Sequence, residues 1–453
     1  MKRDMNKIKG FASNSVTIFE YGYLSADLEN AYCAKISAQS FYYLERLALT
    51  QDNKTNELLR LCDYQGAKAI KVMNYVGVIQ TPFGEHIEIL PKIARRLPDA
   101  NASSTGEALA REALLNMLKH LKHFRHIESS DSQVAALKMP LLEVFIRQFL
   151  QSVNQLVKRG LRSDYVRRED NQSFLKGKLL TSKQLKHNLI NQHCFYVEYD
   201  EYLQDRPINR LIHTALNKVA GLAQLNSHQK LCRELLFAFA DIPLSKCIKN
   251  DFTSLRLDRG MDYYHTPLAW TRLILEGDSP ISMQGKANAL SLLFPMEAVF
   301  EAYVGSILKS VVRQEYRLEE QRSFRSLVVH EHKKWFKLKP DFLVLNQKDT
   351  VLVMDSKWKL LNSSKANGYE KYGLSQADFY QMFAYGHKYL EGQGQLVLIY
   401  PVSETFKEPI QASFDYDSNL KLWVVPFDID PAVKDVDRLK LPDGLDLDVF
   451  RDC

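Results

Sequence analysis

KPDFLVLNQKDTVLVMDSKWK, residues 339–359, holds two apolar runs around a polar break. Asp341 opens the first run, Asn346 to Thr350 form the break, and the second run ends in Asp355, Ser356 and Lys357. Two antiparallel strands joined by a turn near 346–350 would bring the start of one and the end of the other to the same sheet edge. Side chains two residues apart on a strand leave the same face, so Lys357 follows Asp355. Two carboxylates and one ammonium then converge.

That set has a chemistry. Mg²⁺ takes one or two carboxylates and keeps water, and a cation so held polarises a phosphoryl oxygen and acidifies water. The lysine would stabilise charge developing at phosphorus or help deprotonate the attacking water. A phosphodiester-hydrolysis site is one reading; a surface hairpin whose charges are merely solvated is the other. An acid-x-Lys triplet alone arises by chance. The Pro-Asp at the first strand, the buried-looking second strand and a helix carrying Glu301 upstream give the triplet its context.

The rest of the chain sets the frame. At 453 residues the length suits two to four domains, and 45% apolar residues suit globular cores. A net charge of +6 permits a polyanionic partner without demanding one. The cysteines, at 33, 62, 194, 232, 247 and 453, form no C-x-x-C pair, which argues against a zinc ribbon and for reduced thiols. No signal peptide and no membrane span are read, so a cytoplasmic protein is expected.

Organisation follows from periodicity. Ala69 to Ile79 and His86 to Leu90 read as strands around a Thr81-Pro82-Phe83-Gly84 turn. From Gly106 to about Leu225 the spacing is helical, with Gly160 as a stop, interrupted by extended candidates in NQSFLKGKLL and HCFYVEYDEY. LLFPMEAVFEAYVGSILKSVV reads as one amphipathic helix, followed by strands through TVLVMDSKWKL. SQADFYQMFAYGHKYLEG then reads as a helix with Ser375 and Asp378 in a capping box and Gly392 at its end, and GQLVLIYP as a final strand.

The nuclease-like stretch resembles the PD-(D/E)XK superfamily: Pro340-Asp341 matches one element and Asp355-Ser356-Lys357 the other. Gln381 and Tyr385 match the Q-x-x-x-Y helix of RecB-like members, and Glu301 the acid of the first core helix, with Glu297 as the weaker candidate. Over most of its length the chain resembles the McrC family, the nuclease subunits of McrBC 5-methylcytosine restriction systems. The stretches that carry this are GVIQTPFGEHIEILPKI, LVKRGLRSDYVRRED, FLKGKLL, YDEYLQDRPINRLI, VFEAYV and DFYQMFAY; the first 65 or so residues match nothing placed.

The resemblance implies an α/β chain, α+β overall. It comprises an N-terminal mixed α/β partner-docking domain (1–98), a mainly helical middle region (99–288) and a C-terminal nuclease core with a central mixed sheet flanked by helices (289–453). It implies a Mg²⁺-dependent DNA endonuclease subunit of a modification-dependent (type IV) restriction system, with Asp341, Asp355 and Ser356 at the metal. Asp341, Asp355, Lys357, Glu301, Gln381 and Tyr385 form the catalytic set. The implied partners are a hexameric McrB-like AAA+ GTPase, whose hydrolysis the N-terminal part would stimulate, and methylated double-stranded DNA. The sequence agrees with that division: Gly177-Lys178 and Gly285-Lys286 lack the glycine five residues earlier that a phosphate-binding loop needs. Competing readings are a non-catalytic ring-docking scaffold and a nuclease for RNA or single strands.

Basic clusters give the contact candidates. Lys333, Lys334 and Lys337 just before the site, and Arg162, Arg167 and Arg168 beside Tyr165, are candidates for DNA phosphates. For the second group, pairing with Glu169 and Asp170 is the plainer alternative. Lys92, Arg95 and Arg96 are candidates for the partner ring. His120, His123 and His126 read as a basic helix face sooner than a metal site, and Asp200, Glu201 and Asp205 as structural acids.

Overall fold

A computed structural model describes residues 15–49, 57–94, 103–121, 139–258, 260–276, 291–445 and 448–450. The chain forms two compact units, Met1–Lys138 with Asp278–Cys453, and Met139–Gly277. These cuts differ from the expected ones after 98 and 288, and the reason lies in strand pairing.

The N-terminal part contains β1 (Ser15–Phe19), β2 (Tyr23–Ser25), β3 (Cys33–Lys35), α1 (Ala38–Leu49), β4 (Leu59–Tyr64), β5 (Ala67–Val72), β6 (Tyr75–Gln80), β7 (His86–Leu90) and α2 (Ser103–Leu118). Ala69 to Ile79, expected as one strand, breaks at Met73 and Asn74 into β5 and β6, which join different sheets. The expected turn between β6 and β7 is present, with Gly84 at φ +86°.

The second unit contains α3 (Leu141–Arg159), β8 (Asp164–Gln172), β9 (Lys178–Leu179), α4 (Thr181–His187), β10 (Phe195–Leu203), α5 (Pro207–Ala220), α6 (Asn226–Ala238), α7 (Ile248–Ser254) and α8 (His265–Leu275). Its strands form a sheet in the order β8-β10-β9. α3 buries one stripe from Leu141 to Leu156, as its spacing predicts, and ends at Gly160 with φ +94°.

Next come β11 (Ser291–Pro295), α9 (Met296–Val311), β12 (Tyr316–Glu320), β13 (Ser326–His330), β14 (Lys333–Lys337), β15 (Phe342–Asn346), β16 (Asp349–Ser356), α10 (Gln376–Tyr389), β17 (Gly394–Pro401), β18 (Phe414–Asp415) and β19 (Leu420–Phe427). The start of the expected amphipathic helix is the strand β11, because the apolar run before Pro295 pairs with β6 and completes the sheet β1-β7-β6-β11. This pairing joins the N-terminal part to the C-terminal core. α2, expected in the middle region, also belongs to the first unit, where Asn116 Nδ2 donates to Tyr303 Oη at 3.1 Å.

The core sheet runs β12-β15-β16-β17-β19-β18, a mixed sheet as expected. β15 and β16 are antiparallel, whereas β16, β17 and β19 are parallel. GQLVLIYP is therefore not the last strand: LKLWVVPF, buried throughout but for Lys421, lies beyond it. A strand buried on both faces has no alternation for sequence reading to find. Phe342 to Leu345 and Leu352 to Met354 are likewise buried on both faces. Val353, Leu343 and Leu398 lie in one core cluster with Met382, Tyr385 and Tyr389 of α10.

Candidate catalytic centre

The β15–β16 hairpin forms as read from sequence, with Asn346 opposite Asp349 and Phe342 opposite Met354. Asp341, just before β15, therefore meets Asp355 and Ser356 at the end of β16. Ser356 donates both its backbone N–H and its hydroxyl to Asp341 Oδ2, each at 2.8 Å. Those two bonds fix the Asp341 carboxylate.

Asp355 is in a different state. It is 0% exposed. Lys357 Nζ lies 2.6 Å from Oδ2, so Asp355 is ion-paired on that side. A fully buried carboxylate is costly and scarce in folded proteins unless paired. Burial, and then the Asp341 charge, push its pKa up to about 7 against the pull of Lys357. Burial likewise raises Asp341, opposed by the Ser356 bonds.

Lys357 is oriented by α10. Its Nζ donates to Gln381 Oε1 at 3.0 Å, Gln381 Nε2 donates to Tyr385 Oη at 2.7 Å, and Tyr385 Oη donates to the Lys339 carbonyl at 3.0 Å. Gln381 and Tyr385 are one turn apart on one helix face. One relay thus ties the ammonium, the helix and the segment leading into Asp341. Burial disfavours the charged lysine, but Asp355 and Asp341 outweigh it and raise its pKa, so it is an ammonium at neutral pH. The expected capping box does not form: Ser375 makes no side-chain cap, and Asp378 accepts from Tyr400 Oη at 3.2 Å. Gly392 closes the helix as expected, its N–H reaching the Gly386 carbonyl at 3.2 Å.

Glu301 of α9 interacts electrostatically with both Asp341 and Asp355. Burial first, then the Asp341 charge, raise its pKa, and Gln321 Nε2 donates to its Oε1. Asp341, Asp355, Lys357, Ser356, Glu301, Gln381 and Tyr385 therefore all belong to one site. Among the described residues no three His, Cys, Asp or Glu side chains form a ready cation cage. The donors fit Mg²⁺ rather than a dehydrated ion: hard carboxylate oxygens, few in number, one carboxylate oriented by Ser356 and the other buried against Lys357.

Behind Lys357 lies a charge cluster that sequence reading missed. Trp358 Nε1 lies 3.0 Å from both oxygens of Glu20, which follows β1 and is 0% exposed. Burial raises the Glu20 pKa to about 7. Lys92, expected to contact a partner, is turned inward instead, because Glu20 and the Trp358 carbonyl supply its buried polar contacts. Its Nζ donates to that carbonyl at 3.1 Å and lies 3.8 Å from Glu20 Oε2. Arg95 and Arg96 fall outside the described residues.

The other basic candidates divide. Lys333, Lys334 and Lys337 are exposed on β14. Arg167 and Arg168 are spent on acids of β10, not on Glu169 and Asp170: Arg167 Nε is 3.7 Å from Glu198 and 3.9 Å from Asp200, and Arg168 Nε is 3.0 Å from Glu201. The antiparallel β8–β10 register brings those charges together. Arg162 is exposed, with its backbone N–H bonded to Tyr264 Oη at 2.8 Å. Asp205 pairs with Arg210. His120 Nδ1 lies 2.8 Å from Ser306 Oγ, while His123 and His126 fall outside the described residues.

Comparison with known proteins agrees with this architecture. The sequence profile of the McrBC 5-methylcytosine restriction system component family matches residues 70–401, more than two thirds of the chain. The chain belongs to that family. No curated protein matches it. Among solved structures, this McrBC-family chain superposes on a chain from the half-complex of the tetradecameric assembly of Thermococcus gammatolerans McrB AAA+ hexamers with bound McrC. That match has a TM-score of 0.63 and 18% identity, and covers 93% of this chain and 97% of that one. A chain of the Thermococcus gammatolerans McrBC complex matches with a TM-score of 0.47 and 20% identity over 65% of this chain and 87% of that one. No described helix is long and apolar enough to cross a membrane.

Proposed function

We infer that this McrBC-family chain is the nuclease subunit of a modification-dependent restriction system, hydrolysing phosphodiesters of double-stranded DNA. The observation that carries the reading is Asp355, a fully buried carboxylate ion-paired with a helix-positioned lysine beside an oriented Asp341. Asp341 and Asp355, with Ser356 beside them, would hold Mg²⁺, which when bound polarises a phosphoryl oxygen and acidifies water. Ser356 fixes Asp341. Lys357, kept charged by the two acids, faces the site as an ammonium and stabilises charge developing at phosphorus. That charge state favours the electrostatic role over proton abstraction. Gln381 and Tyr385 hold Lys357 in place, and Glu301 adds a third carboxyl next to Asp341.

The energy source lies in another chain. Family membership, and a structural relative solved with AAA+ hexamers, support a McrB-like AAA+ GTPase partner. The experiment is a DNA cleavage assay with that partner, GTP and Mg²⁺. Wild type is expected to cut, Asp341→Ala and Asp355→Ala to be inert while still binding the partner, and the chain alone to turn over no GTP. Undiminished cleavage by either variant would place the centre elsewhere.

A further inference from the structure

β13 and β14 pair only with each other. They form a two-stranded ribbon rather than an extension of the core sheet. Almost every side chain on it is exposed, including Trp335 and Phe336, at 47% and 68%. The flanking sequence is strongly one-signed: Arg322, Arg325, Lys333, Lys334, Lys337 and Lys339 stand against the single acid Glu331 between positions 322 and 340.

Two backbone features set the ribbon apart from a casual loop. Its tip residues Glu331 and His332 have φ +45° and +64°, the paired positive values of a tight two-residue hairpin turn, without the usual glycine or asparagine. Phe336 has φ +54° inside a strand, and the Leu327–Phe336 pair is missing from an otherwise continuous ladder. A bulky side chain held in the left-handed region is strained, and such strain gathers at functional positions. Here it breaks the normal alternation beside Trp335.

The neck of the ribbon is fixed to the helix that orients the catalytic lysine. Tyr389 Oη donates to the Leu338 carbonyl at 2.9 Å and lies 3.3 Å from that of Arg322, and its ring meets Phe324 edge-on at 5.0 Å. Gln381, Tyr385 and Tyr389 are spaced by one turn on α10. A single stripe therefore holds Lys357, the residue before Pro340 and the base of the ribbon.

We propose that the β13–β14 ribbon enters the major groove of the duplex at this centre, with Lys333, Lys334 and Lys337 on phosphates and Trp335 and Phe336 against base edges. The proposal rests on the nuclease reading for its substrate. The major groove of an undistorted duplex admits a two-stranded β-ribbon, whereas the minor groove takes one only when it is widened and the duplex bent. Positive charge on an otherwise apolar, aromatic ribbon matches a polyanion with flat apolar bases better than it matches a protein surface. The short link through Lys339 and Pro340 keeps the ribbon at the cut site.

The test measures binding of a short labelled duplex by wild-type chain in EDTA, across a salt series, so cleavage plays no part. Replacing Lys333, Lys334 and Lys337 together by alanine is expected to flatten the log K against log salt slope by up to about 3, near 0.9 per phosphate contact. Trp335→Ala with Phe336→Ala is expected to weaken binding by about tenfold or more at unchanged slope. Lys365→Ala, Lys407→Ala and Lys434→Ala together should bind as wild type does. Methyl green, a major-groove ligand, should compete, and netropsin, a minor-groove ligand, should not. The proposal is overturned if the wild type binds no duplex, if the ribbon variants bind like wild type, if netropsin alone competes, or if they lose only the AAA+ partner. Ribbon-dependent binding by a chain that never cuts would leave the ribbon standing and sink the catalytic reading alone.

Discussion

The β8-β10-β9 sheet and the sheet centred on β16 both carry ion pairs on their strands, and they differ in how deeply the carboxylates are buried. On β8 and β10 charges meet opposite charges in partly exposed pairs, Arg168 with Glu201 and Arg167 with Glu198 and Asp200, and Lys183 of α4 meets Glu169. Water can solvate what the pairs leave over. On β16 the Asp355 carboxylate is fully buried, ion-paired with Lys357 at 2.6 Å and beside the Asp341 charge. The difference is one of solvation: the β8–β10 pairs are open to water, and the Asp355 carboxylate is not. Glu20 is likewise fully buried, bonded by Trp358.

Breaking the β16 arrangement should have the largest effect. Lys357→Ala is expected to lower cleavage by about 10²–10³, the usual loss for one charge contact in a transition state. Gln381→Ala, which leaves the ammonium in place but unheld, should cost less, and single-turnover rates would rank the two. Equal losses would make Gln381 more than a positioning residue.

Glu20 gives a pH signature. Held at about 7 in the folded chain and near 4.5 when unfolded, it binds more protons folded than unfolded across that interval. Its contribution to stability therefore falls as pH rises from about 4.5 to 7 and is fully lost above, by at most ~1 kcal/mol per pH unit. Glu20→Gln keeps an acceptor for Trp358 and removes the titration. Thermal melts should show a smaller decline over that window than wild type, and an unchanged decline would refute the assignment.

The smallest effect is expected on the paired sheet. Arg168→Ala should change stability by only about 0.2–1 kcal/mol, since exposed ion pairs contribute little, and added salt should shrink the difference. A loss of several kcal/mol in a chemical melt would show that this pair is not merely structural.

How far these sites were legible depended on locality. The β15–β16 hairpin, α10 and the residues they carry are encoded within about 45 positions, in alternation, turn residues and helical spacing, and the sequence reading found them together. Glu20 and Lys92 were not legible as a pair with Trp358, because a contact across more than 250 positions leaves no trace in periodicity. β11 was absorbed into its neighbouring helix, since LLF carries no mark of a strand until β6 is there to pair with it. β19 was missed because burial on both faces erased its alternation. The acids that pair with Arg167 and Arg168 are not their sequence neighbours Glu169 and Asp170 but residues of the opposite strand, in a register that the sequence does not print.

On the proposed reading Asp355 ligates Mg²⁺ and Lys357 does not. Calorimetric titration of Mg²⁺ into wild type, Asp355→Ala and Lys357→Ala, each shown to be folded, tests this most directly. Titrated well above pH 7, where Asp355 stays ionised even without the pull of Lys357, wild type should take up the ion, Asp355→Ala should lose it, and Lys357→Ala should bind as well or more tightly, since a neighbouring positive charge has gone. Loss of Mg²⁺ by Lys357→Ala as severe as that by Asp355→Ala, or undiminished binding by Asp355→Ala, would contradict the account.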